Sequence, residues 1–368
     1  MPGQVLQLLG PSAGGIWLHV AALAHELPAH GWTVSVMGSH DVMRDLARQD
    51  HDIVIPPLWR PYGYRRAGRR LAAVATVAGG VDVLHVHGLK AARVAFTVAE
   101  RPPTVLTVHN LVAGTQPAPL RPLLERCESS IVERADHLIV ISDEIDERFA
   151  GIVAPEKRTF VLPASPRRTI ETPRADVRAS YGIDQRAQLV TIVARHHRQK
   201  NLPMFLRALR RVVQIVPTVR ALVVGDGPDR AALEHLCREL GLEDVAVFTG
   251  HRPNPVDEMN AADVVALSSN WEGSPLVVAE CLAVGRPLVT TAVGTVSRHL
   301  RDHVSARITA VGDDDAFAAA LVDMLVDPIA AARIAAEGHA IGSRVFDQDL
   351  LVGQVAAVYE QVAAIRRS

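Results

Sequence analysis

Short apolar runs of strand length recur along this chain with helix-length segments between them, and the series starts afresh halfway along. Val5–Leu9, Thr33–Met37, Val81–Val86, Thr104–Val108 and His137–Ile141 form the first set. Leu189–Val193, Ala221–Val224, Val245–Thr249, Val264–Leu267 and Leu288–Thr291 form the second. Helical spacing runs over Ile16–Ala29, Leu202–Ile215 and Ala231–Leu240. Near-continuous apolar strands alternating with helices are what a parallel sheet covered on both faces requires. The pattern therefore predicts an α/β chain with two doubly wound, Rossmann-like domains. Between the two sets, Leu162–Arg174 (LPASPRRTIETPR) interrupts the periodicity with Pro163, Pro166 and Pro173, as a linker does. The expected domains are residues 1–165 and 175–349. The C-terminal stretch 350–368, amphipathic over Leu350–Ile365, either stays on the second domain or packs back on the first; periodicity leaves both open. Ligands of such sheets bind beyond the carboxyl ends of the strands, so the expected site is an interdomain cleft.

Composition narrows the partners. A net charge of −1 over 368 residues gives no field that would favour nucleic acid. Cys127, Cys237 and Cys281 are too far apart for a disulfide framework or a zinc cluster and read as buried thiols in a reducing cytoplasm. The N-terminus lacks a signal pattern and no apolar run approaches the ~20 residues of a membrane span, so the expected location is cytoplasmic. One segment qualifies this. Trp59–Arg70 (WRPYGYRRAGRR) interleaves five arginines with three aromatics, as an exposed loop and helix start or as a peripheral contact with the inner face of a membrane.

The chemistry concentrates in Ser268–Thr291, SSNWEGSPLVVAECLAVGRPLVTT. Ser274 reads as an N-cap, Pro275 as the first helical residue, and Gly285 with Pro287 as the stop. Glu272 falls ahead of that helix and Glu280 in its second turn. A free helix N-terminus flanked by two carboxylates suits a phosphate-bearing sugar ligand, the helix end taking phosphate and the carboxylates accepting from hydroxyls.

Other positions add to this. Arg195 and Lys200, in VARHHRQKN after a strand, are placed to neutralise a diphosphate, with a solvated basic loop as the alternative. Gly14 and Gly15 open the first helix where a backbone can approach phosphate, but no GxGxxG or acidic strand end supports a nicotinamide cofactor. His109 ends a strand beside Asn110, as a cleft group or a structural histidine. His85 and His87 face one side of a strand, but no carboxylate or Cys partner is indicated, so no metal site is expected. Asp313, Asp314 and Asp315 read as a helix cap rather than a metal motif.

Together these motifs resemble family 4 of the sequence-based glycosyltransferase classification. The resemblance rests on EGSPLVVAE followed by LAVGRPLVTT, Arg195 with Lys200, GDGP at 225–228, FTGH at 248–251, AADVVALSS at 261–269, ADHLIVIS at 135–142 and TVHN at 107–110. It implies a GT-B fold, with the acceptor held by the first domain and a nucleotide-sugar donor mainly by the second. It also implies a retaining, metal-independent transfer with no cofactor, the nucleotide-sugar being a co-substrate. By resemblance, Glu280 binds the ribose hydroxyls and Glu272 the donor sugar. Arg195 and Lys200 hold the diphosphate, with backbone N–H groups around Gly273, Ser274, Leu276 and Val277. Gly15 approaches the phosphates, His109 lies by the reacting sugar, and the backbone around His251 and Arg252 reads the base. The chain departs from the family pattern at Ala194, Asn201 and Thr295, where glycine is usual. The expected donor is a UDP-sugar, with GDP-mannose as the alternative. The expected acceptor is a glycan, a lipid-linked molecule or a small molecule. A sugar-nucleotide epimerase and a non-catalytic nucleotide-sugar binder are the competing readings.

Overall fold

The computed structural model describes residues 3–10, 14–39, 50–55, 63–77, 80–111, 121–164 and 167–365. They fall into two compact units, Met1–Arg167 with Gln348–Ser368, and Arg168–Asp347. The second unit thus begins inside the proline-rich stretch, and the C-terminal helix belongs to the first.

In the first unit the strands are β1 (Gly3–Leu9), β2 (Trp32–Gly38), β3 (Asp50–Asp52), β4 (Val83–His87), β5 (Thr104–Val108), β6 (His137–Val140) and β7 (Arg158–Phe160). They form a parallel sheet in the order β3-β2-β1-β4-β5-β6-β7. Sheet residues alternate between faces: Leu6 and Leu8 join one cluster with Val86 and Leu106, while Leu9 packs with Val20 and Val36. The helix Gln348–Ile365 lies against β4 and β5. What fixes it there is a polar stripe that the central strands carry. Gln7 Nε2 donates to the Tyr359 hydroxyl at 2.9 Å, and His85 Nδ1 meets the same hydroxyl at 2.6 Å. All three side chains are fully buried, so each needs such a partner. An amphipathic period says that a helix buries one face; it does not say against which sheet.

The second unit contains β8 (Gln188–Val193), β9 (Val219–Val224), β10 (Ala246–Gly250), β11 (Val264–Leu267), β12 (Leu288–Thr291) and β13 (Arg307–Thr309). Their parallel order is β10-β9-β8-β11-β12-β13. Val190 and Ile192 face one core cluster and Leu189 the other, so both faces are covered. In each sheet the strand order reverses beside the first strand, between β1 and β4 and between β8 and β11. The loops after those strands border the crevice in which such sheets bind ligands.

The short strands β3, β7 and β13 escape the sequence pattern, each being three residues long and wholly (β3) or partly polar. Cys237 and Cys281 are buried, but Cys127 is exposed, contrary to expectation, because it lies on the solvent side of the helix Arg121–Val132. Among the described residues no helix is long and apolar enough to cross a membrane. Trp59 to Tyr62 lie outside the described residues. The remainder of that basic segment opens the helix Tyr64–Val77, burying Tyr64, Ala67 and Leu71 while Arg65, Arg66, Arg69 and Arg70 face solvent.

Candidate active site

Two loops of the second unit are stitched together at the strand reversal. After β8 the chain runs Ala194–Lys200, and after β11 it runs Ser268–Pro275. The Ser268 hydroxyl donates to the carbonyls of Lys200 and Asn201 at 2.8 and 3.1 Å, and the Asn270 N–H donates to the Gln199 carbonyl at 2.7 Å. This brings the Lys200 ammonium directly onto Glu272 Oε1. The Ser269 hydroxyl donates to the same carboxylate at 2.7 Å, and Gln199 Nε2 approaches its other oxygen at 3.4 Å. Glu272 is 8% exposed and Lys200 21%, so the pair is partly withdrawn from water. Ser269 and Gln199 are site residues that motif reading missed; Ser269 falls in AADVVALSS, but no spacing rule marks its hydroxyl.

Arg195 lies two residues past β8 on the same loop, exposed and without an ion-pair or hydrogen-bond partner among the described residues. Its neighbour backbone is shaped by the Gly225-Asp226-Gly227 turn after β9. The His196 N–H donates to the Asp226 carbonyl at 2.9 Å, and the Asp229 N–H donates back to the His196 carbonyl at 3.1 Å. A Cβ on Gly225 would sit 2.1 Å from the Ala194 carbonyl oxygen, and one on Gly227 would sit 2.4 Å from that of His196. Both positions need glycine because backbone meets backbone there.

The helix Leu276–Val284 begins one residue later than expected, with Pro275 at the cap and no side-chain cap hydrogen bond. Ser274 is not the N-cap; its hydroxyl instead accepts from Thr295 Oγ1 at 3.1 Å. The N–H groups of Leu276 and Val277 therefore have no protein acceptor among the described residues, and the helix dipole ends there uncovered. Gly285 closes the helix in the left-handed region at φ 72°, as expected.

Glu280 is buried within that helix and faces the guanidinium of Arg168, Nε to Oε1 3.2 Å. Neither atom satisfies hydrogen-bond geometry, so this is an unaligned ion pair. Burial pushes the Glu280 carboxyl above its usual range, and Arg168 opposes that rise. Arg168 sits in the proline-rich stretch, where nothing in the sequence marks it. His251 is exposed after β10, whereas Arg252 is occupied: its Nε lies 3.5 Å from Glu258 and its guanidinium 5.5 Å from the Tyr181 ring centre. The Asp313 carboxylate caps the helix by accepting from the Ala316 N–H at 2.9 Å, while Asp314 and Asp315 pair with Arg207 and Arg211.

In the first unit, Gly15 opens the helix Gly15–Glu26, and Gly14 at its cap has φ 94°. His109, one residue past β5, is buried, its Nε2 3.2 Å from Nδ1 of His87.

The family model described as Glycosyl transferases group 1 matches residues 173–340, and that described as Glycosyltransferase Family 4 matches residues 13–164. A D-inositol 3-phosphate glycosyltransferase of Mycobacterium avium is 30% identical, over 77% of this chain and 70% of that protein. The chain belongs to the family 4 glycosyltransferases. A protein of the same name from Mycolicibacterium gilvum is 31% identical over 74% of this chain; the match spans 65% of that relative's length. Among solved structures, HepE of Anabaena in complex with UDP and glucose has a TM-score of 0.83 at 22% identity, covering 98% of this chain and 100% of that one. Sucrose-phosphate synthase of Thermosynechococcus elongatus has a TM-score of 0.82 at 22% identity, covering 98% and 100%. The fold is GT-B.

Two of the family 4 departures have a local explanation. Asn201 adopts φ 46°, ψ 45°, the left-handed conformation that asparagine tolerates best after glycine, and its amide donates to Asn270 Oδ1 at 2.9 Å. Thr295 keeps its N–H on the Gly273 carbonyl at 3.1 Å, while Gly294 supplies the close approach, since a Cβ there would lie 2.1 Å from that carbonyl oxygen. Ala194 needs no such freedom and is buried.

Proposed function

We propose that this chain transfers a sugar from a nucleotide-sugar donor to an acceptor hydroxyl, with retention and without a metal ion in the transfer step. The observation that carries the reading is the direct contact of Lys200 with Glu272 at the β8/β11 reversal, four residues ahead of the uncapped helix Leu276–Val284. A sugar diphosphate presents a dianionic group next to a ring of hydroxyls, and this site presents a cation next to a carboxylate acceptor. Arg195 and Lys200 meet the diphosphate together with the N–H groups of Leu276 and Val277, and Glu272 takes the sugar hydroxyls. Gly273 and Ser274 shape the same turn. Glu280 exchanges its unaligned contact with Arg168 for two ribose hydroxyls. His251 contributes to base recognition; Arg252, tied to Glu258, acts through its backbone. Gly15 and His109 serve the phosphate and the reacting sugar from the first unit.

The acceptor oxygen attacks the anomeric carbon on the face from which the diphosphate leaves. Charge on that departing oxygen is where Arg195 and Lys200 act, so the rate gain comes from orientation and charge stabilisation rather than from a carboxylate nucleophile. UDP and glucose in the HepE complex favour a UDP-sugar donor. Among glycan, lipid-linked and small-molecule acceptors, the name D-inositol 3-phosphate glycosyltransferase favours the last.

A thermal-shift panel of UDP-, GDP-, ADP- and TDP-sugars tests the donor: one nucleotide is expected to raise the melting temperature, and no response to any of them would overturn the reading. Incubation with donor alone separates transfer from epimerisation, since an epimerase would convert the sugar with no acceptor present. Glu280→Gln is expected to weaken nucleoside diphosphate affinity about 10-fold while leaving kcat within about 3-fold, because it changes ribose binding alone. Equal affinity by calorimetry would remove Glu280 from the ribose.

A further inference from the structure

The central strands of the first sheet carry a row of buried polar side chains beside the helix Gln348–Ile365, where apolar ones would pack at less cost. Gln7 on β1 is level with His85 on β4, and His87, two residues on, is level with Thr107 on β5. Tyr359 of the helix and His109 just past β5 are buried with them. A network that served only to seat the helix would end at Tyr359, Gln7 and His85. This one continues from Gln7 through His87 to His109, whose Nδ1 has no hydrogen-bond partner among the described residues.

The direction of every bond in the row follows from the chemistry of its members. Burial holds the rings of His85, His87 and His109 well below the usual imidazole range. At neutral pH each therefore has one N–H and one lone pair, so a ring that donates on one side accepts on the other. Gln7 sets the sense. Its Nε2 donates to the Tyr359 hydroxyl at 2.9 Å, which leaves the phenol proton for His85 Nδ1 at 2.6 Å. His85 Nε2 then carries the ring proton and donates to Thr107 Oγ1 at 2.7 Å. On its other side Gln7 presents Oε1, which only accepts; His87 Nε2 donates to it at 2.6 Å, and His87 Nδ1 keeps its lone pair. The 3.2 Å contact between His87 Nδ1 and His109 Nε2 is accordingly an N–H donated by His109. His109 Nδ1 is left as an acceptor. His19 does not divert this order. Its ring centre stands 5.5 Å from those of His87 and His109, its N–H goes to the Ala164 carbonyl, and its Nδ1 has no hydrogen-bond partner.

We propose that Gln7 and His87 are positioning residues that lock His109 in the tautomer protonated at Nε2, so that its Nδ1 lone pair accepts from a hydroxyl of the reacting sugar. Tyr359 and His85 act one step further away, by fixing which end of the Gln7 amide faces His87. The inference rests on the reading that places His109 at that sugar. A lone pair suits the position, because positive charge builds on a sugar ring as its leaving group departs and an N–H aimed there would oppose it. Bonds that all run one way also polarise one another, and donation from Nε2 makes Nδ1 the stronger acceptor. A role confined to docking the helix would leave the tautomer of His109 free.

Nitrogen-15 spectra of histidine-labelled protein read the tautomer directly, with the His109 signals assigned by their loss in His109→Asn. The expected result at neutral pH is a protonated Nε2 and a bare Nδ1. The nucleotide-sugar that gives the largest thermal shift should move the Nδ1 signal toward the hydrogen-bonded position and leave Nε2 protonated. Gln7→Leu and His87→Leu should each give a mixture of tautomers and lower kcat about 10-fold, the scale of one misdirected hydrogen bond. His87→Asn, whose amide oxygen takes the place of Nδ1, should keep the single tautomer and hold kcat within about 3-fold of the unmodified protein. Should the leucine variants fail to fold, the unmodified protein and His87→Asn decide the matter. A proton on Nδ1 or a mixture in the unmodified protein, or a single tautomer kept in both leucine variants, would overturn the positioning role. An Nδ1 signal unmoved by the bound nucleotide-sugar would overturn the contact with the sugar. A protein with the expected spectra that transfers no sugar would count against the transfer reading and leave the tautomer of His109 established.

Discussion

Lys200→Ala is expected to lower turnover by at least ~100-fold, the scale of losing one group that stabilises charge in the transition state. The substitution has a second effect that must be separated from the first. Glu272, 8% exposed, would lose its cation and keep only the bonds from Ser269 and Gln199. A carboxylate stranded in this way destabilises the fold as well as the chemistry. Pairing Lys200→Ala with Glu272→Gln removes the stranded charge, so the double variant should recover much of the lost melting temperature and none of the lost kcat. Near-normal turnover in Lys200→Ala would mean that the ammonium is a structural partner of Glu272 and that the diphosphate is held by other groups.

Gly225→Ala is expected to destabilise the second unit by about 3 kcal/mol, read by calorimetry as a melting temperature lower by roughly 10 °C. The added methyl is small, but its surroundings cannot yield. Gly225 has φ +128°, a conformation closed to L-residues, and the new Cβ would meet the Ala194 carbonyl oxygen at 2.1 Å. That carbonyl belongs to the chain leaving β8, immediately before Arg195, so relief of the clash displaces the loop that carries Arg195 and Lys200. Loss of nucleotide affinity should accompany the loss of stability. A variant that melts normally and binds normally would show that the β8 and β9 ends can separate at little cost.

The two predictions lie on positions that differ in how far the sequence reveals them. Lys200 and Glu272 were legible as chemistry because charged residues at strand ends have few structural reasons to be there. Their mutual contact was not legible, since 72 residues separate them and strand order alone makes β8 and β11 neighbours. Gly225 was legible as a turn residue but not as a contact with Ala194, which needs the β8–β9 pairing. Arg168, Ser269 and Gln199 carried no signal, because an ion pair, a hydroxyl and an amide have no period. Ser274 gave a misleading one: its side chain is a good local cap, but Thr295 binds it first and leaves the helix end open.

The sequence by itself determined the α/β class, the two successive sheets, most long strands within two residues, and the glycines and charged groups at strand ends. These follow from local rules, hydrophobic period and backbone freedom, which a linear chain displays openly. Only the tertiary structure decided which residues meet. It put the helix Gln348–Ile365 on the first sheet, where the buried Gln7 and His85 needed Tyr359; it set Lys200 against Glu272; and it drew His19 and His109 to His87. Such pairings depend on strand order and on the satisfaction of buried polar groups, which are properties of the folded whole.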